Sequence, residues 1–175
     1  MKCRLPLSQP EQLDPRQREI YDAVLASRGN VDGPFLAWMF SPTFAGLAQK
    51  LGEFCRFRTS LSLLESELLI LLVAARFDCV GERQIHEPIA VAAGLPTAAA
   101  AAISERRLAI LEEPRLALLQ ELTLQLLITN RVRDELYMRA LALLGEQALV
   151  ETIGVIGYYT LVAMTLNAFE MSKAI

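Results

Sequence analysis

Histidine is almost absent from this chain: His86 is the only one in 175 residues. A lone imidazole forms no paired-histidine zinc signature, so no metal ligand set is expected. Cysteine is scarce as well. Cys3, Cys55 and Cys79 are an odd, widely spaced set that makes a poor disulfide framework and suits a reducing cytoplasm. No glycine-rich phosphate loop and no serine-elbow motif is present. The 17 basic and 20 acidic residues leave a net charge of −3 with no dominant basic stripe, which argues against a nucleic-acid partner. Period-two alternation of useful length is missing throughout, so the chain reads as all-α with no β-sheet. Met1–Asp14 lacks an apolar core and contains Pro6 and Pro10, so no leader peptide is read there.

What the chain has in quantity is apolar surface. Hydrophobic residues make up 53% of it, and the mean hydropathy of +0.33 is oily for a small protein. That excess points to subunit contacts, hence a homo-oligomer. Residues 1–13 read as a loosely held arm and 14–175 as one helical domain. Helix starts stand at Asp14-Pro15 with Gln17, at Ser41-Pro42, Pro96-Thr97, Pro114 and Asp134; stops stand at Gly29, Gly94 and Gly145. In the helix opened by Pro42, the residues Phe44, Leu47, Leu51, Phe54 and Cys55 share one side, the expected core face. Residues 152–169 carry no charge and reach the length of a membrane span. Gly154, Gly157, Tyr158, Tyr159 and Asn167 within that run favour a buried helix instead, with no membrane partner.

The informative stretch is 64–94, LESELLILLVAARFDCVGERQIHEPIAVAAG. Ser62 with Glu65 forms a capping box that opens a helix. From Leu68 to Ala75 this helix is apolar on every side, as an element buried all round must be. Arg76-Phe77-Asp78 breaks the run, and Asp78 is the expected cap of a second helix. In one unbroken helix Glu67 and His86 would lie about 28 Å apart. With a corner near Asp78, each sits roughly 12–15 Å from the bend, and an antiparallel fold-back lets them meet. Cys79, Glu82 and His86 fall at i, i+3 and i+7 on one face of the second helix. A carboxylate beside imidazole favours the protonated ring, and such a ring can donate a proton near neutral pH. Glu67 on so apolar a helix needs a partner, either His86 or one of Arg56, Arg76 and Arg83.

These residues resemble the carboxymuconolactone decarboxylase family, whose superfamily includes the alkylhydroperoxidase AhpD. The resemblance rests on Glu67 nineteen positions before His86, on ERQIH at 82–86 and on HEPIAVAAGL at 86–95. It extends to GPFLAWMFSP at 33–42, LGEFCRFRTSL at 51–61 and GYYTLVAMTLNAFE at 157–170, and so covers most of the chain. The peroxidase branch carries two cysteines before its histidine. Cys79 matches the first of them, whereas Glu82 stands at the second, as in the decarboxylase branch. Arg83 follows where many relatives have tryptophan.

The resemblance implies an AhpD-like helix bundle around a central antiparallel pair, assembled as trimers or hexamers. It implies cofactor-free acid–base chemistry on a small lactone or ring carboxylic acid, with His86 as proton donor and with Glu82 and Glu67 setting its orientation and charge. Arg56, Arg76 or Arg83 would hold the substrate carboxylate, and Tyr158 and Asn167 would line the pocket. The alternatives are a thiol peroxidase using Cys79 and a non-catalytic oligomeric binding protein.

Overall fold

In the computed structural model of the chain, which describes residues 3–6 and 9–171, every regular element is helical. A 3-10 turn at Pro10–Gln12 precedes α1 (Pro15–Arg28), α2 (Pro34–Trp38), α3 (Pro42–Phe57), α4 (Leu63–Arg76), α5 (Val80–Ala92), α6 (Thr97–Ser104), α7 (Pro114–Thr129) and α8 (Asp134–Ala168). The capping boxes form as their spacing implies. Asp14 accepts from the Gln17 amide at the start of α1, and Ser62 accepts from the Glu65 amide at the start of α4. Gly145 does stop a helix: at φ 76°, ψ 170° it splits α8 into two segments, a conformation essentially closed to residues with a Cβ.

Because α4 is apolar all round, it can be stable only with neighbours on every side. It has them: α5, α6, α7 and α8 pack against it. Glu65 through Ala75 are buried without interruption, and Leu68, Leu69, Ile70 and Leu71 are at most 1% exposed. At about 1.5–3 kcal/mol for each fully buried aliphatic side chain, these four alone contribute on the order of 6–12 kcal/mol before chain entropy is subtracted. A change such as Leu69→Ala would cost about 2–5 kcal/mol by leaving a cavity at this axis.

The corner falls where expected, but Asp78 plays a different part. It does not cap α5; it is the left-handed residue that ends α4, at φ 52°. The Cys79 amide donates to the Ala74 carbonyl and the Asp78 amide to that of Ala75, which closes a Schellman motif. Cys79 is therefore the N-cap residue of α5 rather than a member of its first turn. The turn sends α5 back antiparallel along α4.

Two other expectations change. The bulky stripe of α3 faces outward: Phe44, Leu47, Leu51 and Phe54 are 40–68% exposed. The buried side is Ala45, Ala48, Gln49, Gly52 and Cys55. The reason is close approach, since a Cβ at Gly52 would overlap the Tyr158 hydroxyl of α8 and come within 2.8 Å of the Arg28 guanidinium. Secondly, the described part of the N-terminal arm is docked. The Arg4 amide donates to Phe169 and its guanidinium to Ala168 at the end of α8, with Cys3 and Leu5 packed on the core. Residues 1, 2, 7 and 8 of that arm lie outside the described residues. α8 is long and apolar enough to cross a membrane by composition, and 56% of its most apolar window is buried within the bundle.

Candidate active site

The fold-back of α5 brings Glu67 and His86 together. His86 Nδ1 lies 2.7 Å from Glu67 Oε2, with the carboxylate 1% and the imidazole 4% exposed. On the other ring nitrogen, Nε2, Glu82 Oε2 stands 3.4 Å away, one helical turn back on α5. The geometry at Glu82 is not that of a hydrogen bond, and this oxygen is buried with no hydrogen-bond partner among the described residues. The two carboxylates thus address opposite nitrogens of one ring. That arrangement suits a proton relay and leaves no single point at which all three could grip a cation. Among the described residues no group of three or more His, Cys, Asp and Glu side chains is placed to hold a metal ion.

Arg56, from α3, completes the cluster. Its Nη1 is 3.3 Å from Nε2 and 3.5 Å from Nδ1 of His86. The two lone-pair directions of an imidazole diverge, so one donor near both nitrogens must lie over the ring face. The same Nη1 is 3.5 Å from the Tyr159 hydroxyl, and the Tyr159 ring meets His86 edge to face at 5.5 Å.

The charge balance favours an imidazolium. Burial alone would lower the His86 pKa; the hydrogen bond to Glu67 and the proximity of Glu82 outweigh it and raise the ring above its ordinary value. Two carboxylates against Arg56 leave one negative charge, which a protonated His86 neutralises. A neutral ring donating from Nδ1 to Glu67 would instead turn its Nε2 lone pair toward Glu82, an unfavourable pairing. Burial tends to lower the Arg56 pKa too, but Tyr159, Glu67 and Glu82 raise it, so its charge is fixed.

His86 and Glu82 open onto a cavity of about 410 Å³, which Arg56, Tyr158 and Tyr159 also line. Glu67 does not reach this space and sits behind the ring. The residues foreseen at the substrate divide accordingly. Arg56 and Tyr158 line the cavity, whereas Arg76, Arg83 and Asn167 are placed elsewhere, which corrects their expected position. Arg76 is exposed beside α6, and Arg83 lies over the far face of α5 with its guanidinium directed to the Ser104 carbonyl. Asn167 donates to the Phe77 carbonyl at 2.6 Å and so ties α8 to the corner. Each is on the wrong side of its helix to meet the ring.

Cys79 does not line the cavity. It is 2% exposed, and its thiol is pushed up to about 11: burial and the Glu82 charge outweigh the nearby backbone amides and Arg83. Cys55 is likewise buried and is raised to about 11, chiefly by desolvation.

The sequence reading passed over one wall of the cavity. The turn 28–34 and Phe57 also line this space, with Arg28 and Asp32 as the charged groups among them. The only sequence signal at Arg28 was a basic residue in the last turn of a helix, which ordinarily complements the helix dipole.

The class of protein that this architecture defines is the AhpD-like fold. The chain superposes with a TM-score of 0.80 on an uncharacterised peroxidase-related protein from Silicibacter sp., at 13% identity over 97% of this chain and 90% of the other. The match to an alkylhydroperoxidase AhpD core protein, an uncharacterised peroxidase-related protein from Ralstonia eutropha, also has a TM-score of 0.80, at 16% identity over 99% and 93%. The sequence matches no family profile and no curated protein.

Proposed function

We propose that the chain is a cofactor-free acid–base enzyme in which protonated His86 delivers a proton to a small lactone or ring carboxylic acid. The carrying observation is the buried Glu67–His86–Glu82 relay opening on a cavity of substrate size. For a carboxylate conjugated to a carbonyl, loss of carbon dioxide breaks the carbon–carboxylate bond and leaves its electron pair in an extended enolate. Proton transfer from His86 Nε2 to carbon forms the new C–H bond and leaves a neutral ring. Glu67 then holds Nδ1–H, and Glu82 relays a solvent proton back to Nε2. A positioned general acid of this kind is worth roughly 10²–10⁴-fold. Incubation with a carboxylated muconolactone in D₂O, followed by NMR, tests it. The expected result is carbon dioxide release with one deuteron incorporated, lost in His86→Gln; a variant that turns over normally would refute the role.

A thiol peroxidase using Cys79 is the second reading, favoured by the peroxidase-related names of the two similar structures. A thiol at about 11 leaves on the order of one thiolate in ten thousand at pH 7, and Glu82 occupies the place of the second cysteine. Peroxide consumption that disappears in Cys79→Ser would establish it over the first. We further infer a cytoplasmic homo-oligomer, trimeric or hexameric. The outward apolar stripe of α3 supports the assembly, and sedimentation of Leu47→Glu against wild type tests it.

A further inference from the structure

Arg28 closes α1 in the wall of the cavity that His86 also lines. Its guanidinium lies over the Phe35 ring at 4.7 Å and beside Phe57 at 5.9 Å. Nε and Nη2 are buried, and neither has a hydrogen-bond partner among the described residues. Among the described residues no carboxylate forms an ion pair with this cation, Asp32 of the same cavity wall included, although Arg4, Arg58, Arg106, Arg107, Arg115 and Arg139 all have one. Buried donors are matched in nearly every folded protein, so an unmatched charged pair in a cavity wall calls for a partner from outside the chain. The identity of the two atoms is informative. Nε–H and one Nη2–H point the same way and form the side-on edge of the guanidinium, the fork whose spacing fits the two oxygens of a carboxylate.

We infer that Arg28 is the specificity-determining anchor of this cavity, gripping the carboxylate of a small organic acid through its Nε–Nη2 edge. Phe35, 5% exposed, is the fixed backing of the guanidinium; Phe57, 55% exposed, is the flank that yields to admit the ligand. The buried Phe35 ring keeps water from one side of the guanidinium, so the charge-assisted pair forms in a medium that strengthens it. Gly52 makes room for the arrangement, since a side chain there would meet both Tyr158 and Arg28 Nη2. The anchor holds the acid in the cavity that His86 lines, which deepens the acid–base reading and rests on it only in sharing the cavity.

The test uses the intact chain, benzoate as the anionic probe and benzamide as its neutral counterpart. Trp38, the only tryptophan, touches Phe35 and Tyr158 edge to face at 5.4 and 6.3 Å and reports binding by fluorescence. Benzoate should bind saturably and benzamide about 10-fold or more weakly. Arg28→Lys, which keeps the charge but loses the fork, should weaken benzoate roughly 10-fold, and Arg28→Met on the order of 100-fold. Unliganded Arg28→Met should melt no lower than wild type, because it removes unmatched donors. Equal binding of the two probes, no benzoate binding at all, unchanged affinity in Arg28→Met, or loss confined to Arg56→Met would each overturn the assignment. So would a lower melting temperature in Arg28→Met with affinity retained, which would mark a structural prop. His86→Gln separates the two proposals: it should lose turnover yet bind benzoate as wild type does.

Discussion

Glu151 and Glu82 are both carboxylates buried between helices, and the fold treats them in opposite ways. Glu151 Oε2 accepts from the amide and the hydroxyl of Ser60, each at 2.6 Å, while Oε1 accepts from Gln147 at 3.0 Å. Those hydrogen bonds, the Ser60 hydroxyl foremost, hold its carboxyl below the usual carboxylate range. Its lone pairs are accounted for inside the chain, and the effect is to pin the α3–α4 connection to α8. Glu82 has a buried oxygen with no hydrogen-bond partner among the described residues, faces an imidazole it does not properly bond, and borders a cavity. A matched network specifies structure; an unmatched one beside a space leaves capacity for a substrate or a proton.

Substitution separates the two clusters most sharply through activity. Glu67→Gln keeps an acceptor for His86 Nδ1 but removes the charge that favours the imidazolium. Turnover should fall by about 10²-fold, the lower end for losing a general acid, while the fold persists. The single histidine gives an unambiguous NMR titration, in which the ring pKa should drop. An unchanged ring pKa would mean that Glu67 does not set the protonation state. Glu151→Ala should do the reverse. It removes the charge-assisted hydrogen bonds from Ser60 and Gln147, so stability should fall by about 1–3 kcal/mol in urea titration, with activity per folded molecule retained.

pH sharpens the same contrast, because the two clusters have opposite signs. Glu151 is depressed in the folded state, so its contribution is present above the ordinary carboxylate value of about 4.3 and is lost as pH falls through the lower folded value. His86 is raised, so its contribution is complete below about 6.5 and is lost as pH rises through the higher folded value. Melting temperature followed from pH 3 to 9 should show an acid limb weakened in Glu151→Gln and an alkaline limb weakened in His86→Gln. Identical profiles for the two variants would dissolve the distinction.

Much of this was legible in residue order. The capping boxes at Asp14 and Ser62, the all-round apolar run of α4 and the stop at Gly145 are local signals, and each forms as read. The Glu67–His86 meeting was legible because one corner between two helices of known rise leaves little freedom. What stayed hidden depends on packing between distant elements. The α3 stripe was assigned to the core by its period, yet Gly52 against Tyr158 requires the small-residue side to be inward. Arg56, Arg76 and Arg83 could not be ranked, since which face of a helix meets the ring is decided by its neighbours. Arg28 looked like an ordinary end-of-helix cation until its buried, unmatched edge was visible.

The corner at Asp78 is the smallest perturbation and tests what holds the open cluster in register. As the left-handed residue of a Schellman turn at φ 52°, Asp78 bears a steric cost that glycine lacks. Its ion pair with Arg106, at 2.8 Å with side chains 56% and 70% exposed, returns little, since such surface pairs are worth about 0–1 kcal/mol. Asp78→Gly should therefore raise stability by a few tenths to about 1 kcal/mol, read as a higher urea midpoint. A helix N-cap would behave oppositely, losing a few tenths on the same change. Turnover should stay at the wild-type level, because α4 and α5 are held together by buried packing along their length rather than by the turn alone. If Asp78→Gly instead lowers activity while stabilising the chain, the corner itself sets the approach of His86 to Glu67, and the open cluster depends on turn geometry as much as Glu151 depends on Ser60.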